Sequence, residues 1–249
     1  MLSAFAEGVW YDTGASHFLG LRLTATMTVL RVGDGLLLHS PLPMTAERRA
    51  AVESLGRVTH LFAPNTFHHQ WLGEWSQAFA SATVHAPHDL ATKRPDLRID
   101  RFHDQGAACD FGGVITEAPI RGFRLRETAL IYRPGRTALV TDLVHNIGRP
   151  THGWTKLYTR AMGFYDRVAM SRVLRWSSFD DKGAARLSID ALLAHDFEGL
   201  VVGHGDPIHA IGREALAAAT SWLPEAKAPA RLSAPKTTRP ALFSTKPCG

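Results

Sequence analysis

Three short stretches of this chain place a histidine or a carboxylate directly after an apolar run, where a strand would end and a loop begin. The first is Ala63-Pro-Asn-Thr-Phe-His-His-Gln-Trp-Leu-Gly73, with His68 and His69 adjacent at its turn. The second is Thr137-Ala-Leu-Val-Thr-Asp142, and the third is Leu200-Val-Val-Gly-His-Gly205, which carries His204 between two glycines. Leu36-Leu-Leu-His-Ser40 is a weaker fourth case. Imidazole and carboxylate are donors that Zn or Fe would take. A metal so held would polarise a substrate oxygen or lower the pKa of bound water, and loops at the carboxyl ends of strands are where α/β proteins place such chemistry.

Each residue also has a plainer role. Asp142 would serve as a cap for the loop that follows it. His204 would be a residue tolerated between two turn-forming glycines, and His39 a buried hydrogen-bonding group. Of the neighbours His68 and His69, one must face solvent, because adjacent residues point in different directions. His145 lies near Asp142 and stays undecided. His17, His85, His88, His103, His152, His195 and His209 are scattered and read as structural.

The elements that would position these groups follow from period and punctuation. Gly33-Asp34-Gly35 between apolar runs marks a hairpin and an antiparallel start. Residues 45–55 read as a helix with Thr45 as N-cap and Gly56 as its stop. Residues 58–63 read as a buried strand. Trp71, Leu72, Trp75 and Phe79 recur at spacings of three and four, which predicts an amphipathic helix over 70–79. Short strands are expected at 83–86, 113–118, 128–132 and 137–141, with Pro134-Gly135 turning between the last two. A short helix or loop is expected at 91–100, helix over most of 151–176 and over 181–195, a last buried strand at 199–202 and a last helix at 211–223. The order suggests two packed sheets with helices outside them, an α/β sandwich.

Composition narrows the function classes. The chain has 249 residues, 45% of them hydrophobic and 20% charged, as in an ordinary soluble globular protein. Its formal charge of +5 is concentrated at one end, because residues 225–249 hold five Lys or Arg against Glu225, or +4. The folded part is therefore close to neutral, which argues against a nucleic-acid partner. Residues 151–176 mix aromatic and basic side chains in a way that could suit a phosphate backbone, but they read more simply as core aromatics beside a solvated cationic face. Two cysteines, Cys109 and Cys248, make no disulfide framework. No apolar run suits a membrane span and the N-terminus lacks a signal-peptide pattern, so a cytoplasmic setting is expected. The expected organisation is one domain over 1–223 and a basic, disordered Pro/Ala/Lys-rich tail over 224–249.

Taken together, the opening Glu7-Gly-Val-Trp10, the hairpin into Gly35-Leu-Leu-Leu-His-Ser-Pro41, the strand-loop-helix at 58–79, the strand ending at Asp142 and the late Val201-Val-Gly-His-Gly205 resemble the metallo-β-lactamase superfamily, in its order, over about residues 5–223. The resemblance implies a four-layer αββα sandwich with a metal site along one edge of the two sheets. It matches Asp142 to the bridging aspartate and His204 to the last histidine ligand. The superfamily's His-x-His-x-Asp-His loop is degenerate here. Keeping Gly73 in step sets Asn65 and Phe67 on the leading histidines, with His69 and Gln70 on Asp-His. A shift of one residue sets His68 and His69 on Asp-His and leaves Thr66 on the second histidine. Gly122-Phe123 stands where Gly-His is expected, and His39-Ser-Pro41 where Asp-x-Gly is expected.

Two functions follow. One is a metal-dependent hydrolase of an ester, thioester or phosphoester, with one divalent Zn or Fe ion on His68, His69, Asp142 and His204, and Asp142 orienting the water. The alternative is a non-catalytic, metal-free descendant that binds a small organic ligand or acts as a scaffold, with Phe67, Trp71 and Phe123 lining an apolar pocket.

Overall fold

Alternation along the central strands decides how the layers stack. The computed structural model describes residues 1–225. The first sheet holds seven strands in chain order: β1 (Ser3–Ala6), β2 (Val9–Phe18), β3 (Leu21–Val32), β4 (Gly35–His39), β5 (Arg57–Phe62), β6 (Thr83–Ala86) and β7 (Arg101–Phe102). The first three pairings are antiparallel, and the pairings from β4 to β7 are parallel. The change follows the connections. Tight turns join β1 to β4, whereas α1 (Ala46–Leu55), α2 (Leu72–Ala78) and α3 (Asp89–Lys93) lie between the later strands, as parallel crossovers require.

The second sheet has the order β11-β10-β9-β8, from β8 (Ile115–Pro119), β9 (Thr128–Tyr132), β10 (Thr137–Leu139) and β11 (Gly199–Val201). α4 (Gly153–Met162), α5 (Arg172–Ser177) and α6 (Lys182–Leu193) lie between β10 and β11, and α7 (Gly212–Thr220) follows.

Three apolar layers separate four layers of structure. Leu36 and Leu38 of β4 pack with Val52, Leu72 and Trp75 under the first helices. Leu37, between them in sequence, turns to the other face and meets Phe62, Leu130, Leu139 and Val201 between the sheets. Beyond the second sheet, Ile131, Ala138 and Leu200 pack against Ile189, Leu192 and Leu216. Side chains that alternate across a strand produce this division. The αββα sandwich expected from the sequence is the one observed.

Thr45 caps α1 by accepting the Arg48 N–H, as expected. The helical stretch 151–176 is instead two helices, because Gly163 ends α4 in the left-handed region at φ 79°. The aromatics there are not all core: Phe164 is buried, while Trp154 and Trp176 are exposed. Strand β7 fell in a segment that had no strand pattern. The tail expected at 224–249 lies outside the described residues except for its first two. Among the described residues, no helix is long and apolar enough to cross a membrane.

Candidate metal centre

Four chain segments meet at one edge of the sandwich, where β5, β10 and β11 end against the middle of β3. The loop after β5 is tied to the second sheet by its backbone: Thr128 N–H donates to Pro64 C=O and Thr66 N–H to Leu125 C=O. His103 adds a clamp, because its Nε2–H donates to Ala63 C=O at 2.8 Å and leaves Nδ1 to accept the Thr128 hydroxyl at 2.8 Å. Asn65, fully buried, then shapes the turn itself. Its Oδ1 accepts the N–H groups of Phe67 at 2.8 Å and His68 at 2.9 Å. Its amide donates to Asp142 Oδ2 at 2.8 Å and to Thr141 Oγ1 at 2.9 Å.

The loop after β11 needs both its glycines. A Cβ at Gly203 would press on the Thr141 backbone and on the His68 ring, and Gly205, at φ +96°, lies against the Asn146 backbone. The glycines around His204 are therefore there for close approach, and His204 is held by more than the turn. Its Nδ1–H donates to Thr24 C=O at 2.7 Å, while Gly205 N–H donates to Thr24 Oγ1 at 3.0 Å.

The result is that His68, Asp142 and His204 each aim one donor atom at a common point, all within 4.8 Å of one another. His68 Nε2 lies 3.5 Å from Asp142 Oδ2, and His204 Nε2 lies 3.6 Å from Asp142 Oδ1. Ligand atoms about 2.1 Å from one tetrahedral ion sit about 3.4 Å apart, so each histidine–carboxylate separation is of the size that ligands of one metal would take. The outer nitrogens fit as well. His68 Nδ1 meets Ser40 Oγ at 2.8 Å, and with His204 Nδ1 on Thr24 both rings turn Nε2 inward, the support that metal-ligating histidines normally have.

His69 is not part of this group. Its Nδ1 accepts from Arg94 Nη1 at 3.3 Å, and burial together with Lys93 and Arg94 pushes its pKa down to about 4. Adjacent residues of a turn diverge, and His68 is the one that points in. The pocket expected from Phe67, Trp71 and Phe123 does not form. Phe67 is half exposed, Trp71 packs in the layer under the first helices, and Phe123 is buried against Phe179 beyond the second sheet. The strand alternation that separates the apolar layers also separates these rings.

Burial opposes the Asp142 charge, but the facing imidazoles of His68 and His204 hold its pKa well below the usual carboxylate range. Burial likewise opposes charge on His204, and Asp142 outweighs it and raises the imidazole pKa. His145, undecided from sequence, is buried with its ring 5.5 Å from that of His204, and burial and His204 hold its pKa at about 3. Glu127 went unnoticed in the sequence. It is buried and its carboxylate gathers the N–H groups of Thr141 at 2.7 Å, Asp142 at 2.8 Å and Leu143 at 3.2 Å. The available signal was a carboxylate at the mouth of the apolar run Thr128–Tyr132. Ser40 stood only within the weaker fourth stretch, and Thr24 carried no signal at all.

Asn65 links the loop to Asp142, so Asn65→Ala is expected to lower stability by about 2–4 kcal/mol, two or more buried hydrogen bonds being lost with their partners stranded. Urea unfolding measures this directly, and a loss under about 0.5 kcal/mol would refute the linkage.

No protein-family model matches the sequence, and no curated protein matches it. Solved structures do. A metallo-β-lactamase from Pontibacter korlensis superposes with a TM-score of 0.61 at 13% identity, covering 90% of this chain and 98% of its own. The metallo-β-lactamase FIM-1 from Pseudomonas aeruginosa, in its mono-zinc form, gives 0.57 at 13% identity, over 89% of this chain and 94% of its own. The Flv1 flavodiiron core from Synechocystis sp. PCC6803 gives 0.65 at 13% identity, covering 90% of this chain and 60% of that one. At these identities the likeness establishes the fold.

Proposed function

From the metallo-β-lactamase fold that this chain shares with those proteins, we propose that it is a metal-dependent hydrolase holding one divalent ion on His68, Asp142 and His204. Its substrate would be a small ester, thioester or phosphoester. The observation that carries this reading is the convergence of three donors, with the outer nitrogens of His68 and His204 held by Ser40 and Thr24 and the Asp142 carboxylate held by Asn65. A bound Zn or Fe would supply Lewis acidity and lower the pKa of a bound water. The chain's own part is orientation. The two imidazoles stand across the Asp142 carboxylate, which can accept a hydrogen bond from the attacking water and set its direction. Asn65 keeps Oδ2 in place during that exchange. The mono-zinc form of FIM-1 is a precedent, in that protein, for one ion on this fold. The metal-free alternative loses support, since the three aromatics invoked for its ligand pocket lie apart.

Protein prepared without metal and titrated with Zn in a calorimeter is expected to take up one equivalent. Asp142→Ala and His204→Ala should each weaken uptake by at least tenfold, because loss of one of three ligands leaves too few, while His69→Ala should bind as the parent does. Uptake should also weaken as the pH falls. The raised pKa of His204 keeps a proton on it to higher pH than an ordinary imidazole, and that proton must leave before Nε2 can bind. Absence of uptake, or uptake that survives His204→Ala, would sink the proposal; turnover of 4-nitrophenyl acetate by the Zn-loaded protein would extend it to catalysis.

A further inference from the structure

We propose that the groove beside His204 receives an oxyanion, a carboxylate or phosphate carried by the substrate away from its scissile bond, with Arg22 and His152 as its receptors. As a statement about substrate it rests on the hydrolase reading above, while the anion site itself is independent of any metal. The groove measures about 380 Å³ and opens between β3 and the segment after β10, a size suited to a small organic molecule. Thr24 links it to the candidate metal centre, because it lines the groove and also accepts from His204 Nδ1 and Gly205 N–H.

Arg22 and Thr24 are two residues apart on β3, so both side chains leave the same face, about 7 Å from one another along the strand. Among the described residues no group accepts a hydrogen bond from the Arg22 guanidinium, whereas Arg48, Arg126 and Arg136 are paired with carboxylates. Arg22 is nevertheless anchored, because its backbone N–H donates to Thr155 Oγ1 at 2.9 Å. Thr155 is fully buried, and the acceptor within reach of its hydroxyl is His152 Nδ1, at 2.9 Å. That bond puts the ring proton on Nε2, so His152 keeps an N–H donor to offer. One buried hydroxyl thus ties the Arg22 backbone to the His152 ring. The residues lining the groove include no carboxylate, and Ile147 and Pro150 supply apolar wall for a carbon skeleton. A fork of N–H donors beside an imidazole N–H is the chemistry that binds carboxylate or phosphate.

The test uses the full chain, free of metal and Zn-loaded, with three probes read by calorimetry: N-phenylsuccinamate, phenyl phosphate and neutral acetanilide. The metal-free protein is expected to bind at least one of the two anions, and the tighter of them identifies carboxylate or phosphate as the natural group. Acetanilide should bind at least tenfold more weakly. Arg22→Gln should cost about tenfold or more in anion affinity, the loss of a charge-assisted pair, and His152→Ala a smaller amount, with melting temperatures unchanged. Equal binding of acetanilide and the anions, or Arg22→Gln binding like the parent, would overturn the proposal. The two readings fail separately: absent Zn uptake defeats the hydrolase, and absent Arg22-dependent anion binding to metal-free protein defeats the anion site.

Discussion

Acidification from pH 7 towards pH 4 is expected to unfold this protein steeply, even without denaturant. His39, His85, His103 and His145 are buried as neutral imidazoles. Burial, first of all, holds their pKa values at about 3, about 3, about 4 and about 3. Neighbouring cationic or imidazole groups add to this, although His103 is partly compensated by Ala63 C=O and His145 by Asp142. The unfolded chain takes up protons at each of these positions once the pH falls below about 6.5. From there downward the unfolded state binds more protons, so stability drops as the pH falls until the folded values are reached. Each group contributes about 1.4 kcal/mol per pH unit in that window, and the four acting together give a slope near 5 kcal/mol per unit.

Against a total stability of about 5–15 kcal/mol, that slope places the acid midpoint roughly between pH 5.5 and 4. His69, held down to about 4, and His60, lowered by burial and by Arg101, add to this acid loss, and two other groups act against it. His204, raised, contributes stability that is complete below its unfolded pKa and is lost as the pH rises through its folded one. Glu127, raised by burial and by Asp142, slightly offsets the acid loss between its unfolded and folded values. Far-UV circular dichroism against pH, with urea unfolding at pH 7, 6 and 5, measures the slope. Equal stability at pH 7 and pH 5 would contradict the prediction.

Replacement of Glu127 is expected to damage both the fold and the candidate metal centre. Its carboxylate is surrounded by donors: three backbone N–H groups, the Thr141 hydroxyl and the Asn65 amide at 3.3 Å. Glu127→Gln would turn an NH₂ group towards at least one of them, and Glu127→Ala would strand all three N–H groups in the interior. Losses of about 2–3 kcal/mol for Gln and about 3–5 kcal/mol for Ala follow from buried donors left unpaired and a buried charge network broken. Because Glu127 holds the backbone of residues 141–143, Asp142 should shift as well, and Zn affinity in Glu127→Gln should fall at least tenfold. Urea unfolding and calorimetric Zn titration read the two effects separately. A Gln variant matching the parent in both would show that Glu127 is not what places Asp142.

Much of the architecture was legible in local pattern. Gly33-Asp34-Gly35 marked the hairpin, Thr45 the helix start, and the apolar runs before Asp142 and His204 marked strands that end at one edge. Those features depend on period and on turn chemistry, which are properties of neighbouring residues. The break at Gly163 and the two-residue strand β7 were not legible, one because aromatic and basic residues continue past the glycine, the other because pairing with β6 makes it a strand.

At the site, sequence alone determined that an imidazole, a carboxylate and a second imidazole sit at strand ends of the right order. Only the tertiary structure decided that His68 and not His69 turns inward, since Asn65 Oδ1 fixes the Phe67 and His68 amides and thereby the rotation of the turn. It also decided the partners that support the donors. Thr24 reaches His204 across 180 residues of chain, Asn65 reaches Asp142 across 77, and Arg22 meets Thr155 across 133. Periodicity in a sequence says which face of a strand a side chain takes. Which other strand lies opposite that face is set by how two sheets pack, and that packing is what brings His68, Asp142 and His204 together.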